Sequence, residues 1–477
     1  MYFIYMSLKR VLTFSFLLVT AFSVFSQSEQ VYPRGAILNA EAYNSLPRRA
    51  PSAIRDYEGL PRSASLKQFA PLPGDQTDYG TCVAWASAYA ARTISESVAL
   101  NRMSQSETTQ NVFSPVFIYR NIRPNDIECL QGAQIFWALD MMKETGAVKM
   151  LDIERSTDFK RVDVSLYQNS RKYPISGYVT LFSKDDRFKT GLIARTVKKS
   201  ITEGRPVIIG MNTPDSFYTA KDVWRPTDSP EAYYGGHAMC VVGYDDDKYG
   251  GAFEILNSWG RKWGNGGFIW VPYNIFVDFV QEGYEIIENL SIYSDTLKFN
   301  GFVQFEFSGQ DSHEPIPLVF TEDGYYITAE TLKGGTELRF AVGARESAYV
   351  YTFTVSKSSH NNTYFSPVLM FPQAGVSPLL NFSDSIVVLP GGNKSFVLDT
   401  DAGIEFLITL YSKQPLDIQT VMRRFSYAKG SFNERLLRAV GDNILTTLAY
   451  SEKEPAFTAE PDDSRSIAVL VIAIEHE

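Results

Sequence analysis

One cysteine in this chain is placed to react. Cys82 follows Asp75-Gln76-Thr77-Asp78-Tyr79-Gly80-Thr81 and heads an apolar run, Val83-Ala84-Trp85-Ala86-Ser87 and onward to Ala91. Tyr79-Gly80 breaks structure and the run reads as a buried helix. The thiol is therefore expected at a helix N-terminus, where the macrodipole and unpaired N–H groups favour a thiolate. Gln76, six residues upstream, supplies an amide donor of the kind that stabilises an oxyanion. Taken alone, Cys82 reads as a buried structural thiol. The histidines change that reading. There are four, and His313, His360 and His476 lie far toward the C-terminus, which leaves His237 as the base. It stands in Gly235-Gly236-His237-Ala238-Met239-Cys240-Val241-Val242-Gly243, a glycine turn running into an apolar strand. Twenty residues later comes Asn257-Ser258-Trp259-Gly260-Arg261-Lys262-Trp263-Gly264, followed by Gly266-Gly267. Nucleophile, base and amide in this order have the logic of a thiol activated by an imidazole that an amide orients.

Those residues need rigid supports, and the flanking patterns supply them. Helical periodicity is expected over 82–100, 112–122 and 134–145, and strands over 206–211, 238–243, 252–256 and 267–271. Cys82 would then face His237 across a cleft between a helical part and a strand-rich part. After about Leu290 the character changes. Alternating runs over 302–307, 325–329, 337–342, 348–355, 385–389 and 405–411, punctuated by Gly334-Gly335 and Gly391-Gly392, predict an antiparallel sandwich or barrel.

At these residues, over roughly 60–287, the chain resembles the papain-like cysteine peptidases of the C1 family. The Asn-Ser-Trp-Gly block with its trailing glycines is the most specific part of the match, and Leu60-Pro61-Arg62-Ser63 is similar to the start of a mature domain of that family. The resemblance implies an α+β fold with two lobes, one helical and one like a β-barrel. It implies that Cys82 is the nucleophile, His237 the general acid/base, Asn257 the group that orients the imidazole and Gln76 the oxyanion donor. Trp259 would shield the Asn257–His237 hydrogen bond, and Gly132, in Cys129-Leu130-Gln131-Gly132-Ala133, would pair its backbone with the substrate. Departures from the family pattern are visible. Val83 stands where a tryptophan usually follows the nucleophile, and Tyr79 replaces a half-cystine whose partner position is Cys129, so no family disulfide is expected. Cys240 reads as a small buried hydrophobe. Over about 320–425 the chain resembles a bacterial domain of unknown function, the DUF4384 type, with Tyr349-Val350-Tyr351-Thr352-Phe353 and Val368-Leu369-Met370-Phe371-Pro372 carrying the likeness.

Composition suits a large ordered protein: 477 residues, 44% of them hydrophobic and 14% aromatic, give material for several cores. The net charge of −9 argues against nucleic acid as a partner. No zinc-type spacing, phosphate loop or repeat is present, so neither a metal nor a cofactor is expected. Lys9-Arg10 precede an apolar segment, Val11 to Phe25, that ends at Ser26, the pattern of a signal peptide cut before Gln27. No other apolar run is long enough to span a membrane. Three cysteines in an exported chain fit a bacterial periplasmic or extracellular protein that does not depend on disulfides. The expected layout is a signal peptide (1–26), an N-terminal segment or short pro-region (27–59), a peptidase domain (60–290) and an all-β C-terminal domain (291–477) that binds a partner or surface, or serves only as a structural appendage. The expected activity is endopeptidase hydrolysis of peptides or proteins. An inactive peptide-binding protein and an acyltransferase with the same Cys-His-Asn set remain alternatives.

Overall fold

The computed structural model describes residues 32–50, 59–153, 166–189, 191–288, 299–308, 314–360, 362–380, 385–391, 394–445, 447–460 and 466–477. The expected signal peptide, His313 and the expected boundary at Leu290 lie outside them.

A seven-stranded antiparallel sheet organises the first half. Its order is Gly177–Thr180, Val280–Ile287, Val207–Asn212, Gly236–Asp245, Ala252–Leu256 and Phe268–Pro272, with Ser63–Ser65 paired onto the far end of Gly236–Asp245. The central strands are buried on both faces: every residue of Val207–Asn212 and Ala252–Leu256 is inside. Such strands read as unbroken apolar runs rather than as alternation. Helices cover the sheet. The one that carries Cys82 is continuous through three segments, Cys82–Ala84, a π-helical stretch Trp85–Arg92 and Thr93–Ala99. Its alanines pack close against the strands; Ala84, Ala88 and Ala91 are fully buried. Pro115–Ile122 starts where Ser114 accepts from the Phe117 N–H and Pro115 takes the first helical position, a strong start signal. Ile135–Glu144 follows. The expected elements around the site thus occur within a few residues of their predicted ends.

The second half is not all-β, which corrects the sequence reading. Two sheets face each other. One runs Val368–Phe371, Ala348–Ser358, Gly403–Ser412, Ile467–His476, Tyr326–Thr328 and Leu318–Phe320, and the other runs Ser385–Leu389, Glu337–Ala344, Phe299–Phe307, Ala456–Ala459 and Leu448–Tyr450. Val303, Phe305, Val342, Val350, Leu407 and Leu470 fill the space between them. A helical hairpin, Ile418–Tyr427 and Phe432–Val440, then packs on the outer face of the first of these sheets, with Phe425, Phe432 and Leu436 against Phe353, Ile408 and Val471. The strand Ile467–His476 shows why a third layer is needed. Ala468, Leu470 and Ile472 enter the sandwich core while Ile467, Val469 and Val471 point into the helices. The two halves also share side chains: Leu379 of the second half is buried in the core of the first, and Tyr349 packs against it.

Candidate active site

Cys82 is the first residue of its helix, with Thr81 at the cap position, and it is fully buried. The loop before it is tied to the Asn257 block by main-chain bonds: Gln76 N–H donates to Ser258 O at 2.8 Å and Gly260 N–H to Gly74 O at 2.9 Å. His237 is the second residue of Gly236–Asp245. The next residue, Ala238, donates its N–H to Cys82 Sγ at 3.4 Å, so strand and helix meet at the thiol. Asn257 follows directly on Ala252–Leu256, and its Oδ1 lies 2.8 Å from His237 Nε2. The same oxygen accepts the Ser258 N–H at 2.7 Å, which fixes the amide. With Nε2 engaged, His237 Nδ1 is the free ring nitrogen, and it has no hydrogen-bond partner among the described residues.

Trp259 stacks on the imidazole, with centroids 4.4 Å apart and planes 26° from parallel. Its own position is held by edge contacts to Trp263 and Phe217. Ser258, which the sequence reading quoted without a role, donates from Oγ to Gln76 Oε1 at 2.6 Å. That bond turns Gln76 Nε2 outward.

The cleft is not open. Residues Tyr32 to Leu38 lie through it as an extended strap. Tyr32 stacks on the face of Trp259 at 4.7 Å and 10°. Gln76 Nε2 donates to Tyr79 O at 2.7 Å and to Pro33 O of the strap at 3.3 Å. The Gly35 N–H is directed at Cys82 Sγ. Ala36 N–H donates to Gly236 O at 3.0 Å, Ile37 N–H to Ala133 O at 2.9 Å and Ala133 N–H to Gly35 O at 2.9 Å. The approach is close enough that only glycine fits at Gly35 and Gly132. A Cβ on Gly35 would sit 2.0 Å from Gly80 O, and one on Gly132, where φ is +72°, 2.4 Å from Gly35 O. Leu38 occupies the hollow left by two more glycines, since a Cβ on Gly210 or Gly236 would meet its side chain at 2.7 or 2.8 Å. Gly132 therefore touches the strap, yet its own N–H goes to Tyr119 Oη at 3.0 Å, and Ala133 makes the ladder bonds. Ala133 and Gly236 act only through backbone atoms, so no side-chain pattern could have pointed to them.

Burial sets the protonation states of this closed form. Desolvation pushes the Cys82 thiol up to about 11, against the lowering effect of the N–H groups of Ala238, Gly35, Val83 and Cys82 itself. Desolvation also brings His237 down to about 4, opposed by the Asn257 bond and assisted by the strap's Arg34. Under the strap the pair is thus a neutral thiol and a neutral imidazole, not the thiolate that a helix N-terminus alone suggested. Cys82, Cys129 and Cys240 are all buried and free. Gly80 N–H donates to Cys129 O at 2.7 Å, so the turn before the nucleophile is held by a main-chain bond where the family uses a disulfide. Trp85 packs with Tyr89 and Val112, its ring against Gly74 of the loop that precedes the nucleophile.

Residues 73–282 match the family model described as papain family cysteine protease. An uncharacterized peptidase C1-like protein of Acanthamoeba polyphaga mimivirus is 28% identical over 218 residues, 43% of this chain and 65% of that protein. A gut-specific cysteine proteinase of Caenorhabditis elegans is 30% identical over 99 residues, 20% of this chain and 30% of that protein. The chain thus spans less than two thirds of the length of either relative. Among solved structures, xylellain, a cysteine protease from Xylella fastidiosa, aligns over 54% of this chain and 96% of its own at 21% identity, with a TM-score of 0.43.

Proposed function

We propose that the papain-family cysteine peptidase domain at residues 73–282 belongs to an exported endopeptidase that is latent while the strap fills its cleft. The observation that carries this reading is the strap itself: the cleft already holds an extended polypeptide, gripped largely through its backbone beside Cys82 and Gln76. A site that binds a main chain irrespective of most side chains suits a peptide substrate. With the strap displaced, water and substrate reach the pair and the desolvation that keeps it neutral is relieved. Cys82 then passes its proton to the free Nδ1 of His237, the thiolate attacks the peptide carbonyl, and Gln76 Nε2 with the Cys82 N–H receives the oxyanion. His237, oriented by Asn257, protonates the leaving amine and then activates water to free the acyl group. The C-terminal half, from about residue 291, positions substrate or binds a partner or surface, and the protein works in the periplasm or outside the cell.

Three single variants test the assignment on a general peptide substrate. Cys82→Ala should abolish hydrolysis, whereas Cys129→Ala and Cys240→Ala should retain it. Normal turnover by Cys82→Ala would sink the mechanism. A wild type that binds peptides but never cleaves them would favour the peptide-binding alternative, and product appearing only when an added amine is present would favour acyl transfer.

A further inference from the structure

The strap continues beyond the cleft into a segment that belongs to both halves of the molecule. After Leu38 comes a short helix, Ala40–Ser45, capped by Asn39 Oδ1. Its Tyr43 is 2% exposed, and the hydroxyl donates toward Phe182 O and Gly283 O at 2.5 and 3.0 Å. Pro47, Arg48 and Arg49 then lie extended between two partners. On one edge Thr180 N–H donates to Pro47 O and Arg49 N–H to Thr180 O, at 3.0 and 2.9 Å, an isolated bridge onto the edge strand of the first sheet. On the other edge Arg48 N–H donates to Gly375 O at 2.9 Å, and Ser377 N–H donates to Arg48 O at 2.7 Å. Gly375 and Ser377 belong to the C-terminal half, so three residues of the N-terminal segment splice the two halves together. The Arg49 side chain, 5% exposed, meets the fully buried Glu285 at 3.3 Å and Ser200 Oγ at 3.0 Å. Ala50 is already inside the sandwich core.

These contacts divide the N-terminal segment by what its removal would cost. Taking away Asn39 to Ala50 would strip the buried Glu285 of one of its guanidinium partners and leave the hollow of a tyrosine in the core. Taking away Tyr32 to Leu38 breaks main-chain hydrogen bonds, the Tyr32–Trp259 stack, the contacts of Arg34 with Tyr234 O, Tyr218 and Asp215, and the packing of Leu38, and the one carboxylate it leaves without that partner, Asp215, is exposed. Building on the peptidase reading above, we propose that the strap is a reversible lid kept in the active protein, and that the C-terminal half sets its hold on the cleft through the Pro47–Arg49 splice. Latency is then relieved by displacement, without cutting the chain. Any event that draws the 373–377 turn away loosens the splice on one edge, and the strap is joined to that splice through the short, largely exposed helix Ala40–Ser45.

The test reads access to Cys82 separately from turnover. Iodoacetamide labelling of the full chain at fixed pH, mapped to Cys82, reports opening; intact mass reports whether residues 32–50 are retained; a peptide substrate reports activity. Ser377→Pro removes the bond to Arg48 O, and Arg48→Pro removes the bond to Gly375 O. Each should speed labelling about fivefold, the worth of one ordinary hydrogen bond, with the intact mass unchanged. Arg48→Ala keeps both main-chain bonds and loses the part-buried 3.4 Å pair with Asp186, a carboxylate that Lys189 also holds, and should label like wild type. Labelling unchanged in both proline variants, or rising only after the segment has been cut off, overturns the proposal. Faster labelling without peptide turnover keeps the lid and rejects the peptidase reading. Should either proline variant fail to fold, amide exchange in the wild type decides. The N–H groups of Ala36, Ile37, Arg48 and Ser377 should open with one common rate, and unrelated rates for the two pairs refute the coupling.

Discussion

The reactivity of Cys82 toward an alkylating agent should follow the closed cleft rather than an activated thiol. Desolvation raises its thiol from 9.0 to about 11. A shift of about two units corresponds to ~2.7 kcal/mol against the thiolate, or about a hundredfold less thiolate at neutral pH than a free cysteine carries. His237 offers no compensation, because its own value of about 4 leaves it uncharged over the same range. The labelling rate of the intact chain should therefore climb continuously from pH 6 to pH 10 with no plateau. Ala36→Pro, which removes the N–H that donates to Gly236 O at 3.0 Å, should release the strap, raise the rate and move the profile toward lower pH, as the thiol regains solvent and the imidazole can hold a proton. The assay is the second-order rate of iodoacetamide labelling at Cys82, followed by peptide mapping across that pH range. A wild-type profile that levels off below about pH 8 would refute the argument that burial controls the pair, and so would an Ala36→Pro profile superimposable on it.

Two further outcomes follow from the same structure. Because the folded-state value of His237 lies below its ordinary 6.5, the unfolded chain takes up the proton first; this contribution to stability is complete above pH 6.5 and is lost as pH falls from 6.5 to about 4. The melting temperature should drop across that window, and the drop should be shallower in His237→Gln; equal slopes would show that the imidazole is not buried in the neutral form. Arg49→Ala should destabilise the whole chain by about 3–5 kcal/mol, the cost of breaking a buried ion pair on one side, although Arg205 Nη1, 3.4 Å from Glu285, places the loss at the lower end; chemical denaturation monitored by tryptophan emission measures it, and a change under 1 kcal/mol would mean that Glu285 does not depend on Arg49.

Much of the site was legible because its chemistry sits on side chains at the ends of regular elements. Cys82 heads a helix, His237 opens a strand and Asn257 closes one, and each such end carries a glycine or a break in periodicity that a sequence displays. The strap was not legible for the opposite reason. Its bonds to Gly236 and Ala133 are main chain to main chain, across about a hundred or more residues, and Gly35 and Ala36 have almost no side chain to announce a role. The segment around them could be read only as an N-terminal segment or short pro-region. The neutral state of Cys82 was hidden with it, since a helix N-terminus argues for a thiolate until something covers it. In the C-terminal half the error lay in the layer count. Phe406, Ile408 and Leu410 alternate with Leu407 and Tyr411 in one apolar run, which announces a strand covered on both faces, while Phe425, Phe432 and Leu436 stand at helical spacing beyond it.

Trp259 presses one face to His237 and the other to Tyr32, and this shared indole makes the dryness of the His237–Asn257 bond depend on what lies in the cleft. While the strap is seated, Tyr32 screens the outer face. Once it leaves, that face is wetted unless an incoming chain lays an apolar group on it. A substrate that covers the indole would thus restore the geometry of its own catalyst, and one that cannot would meet a looser imidazole. Selectivity in such a site is exercised through the rigidity of the base as much as through any pocket.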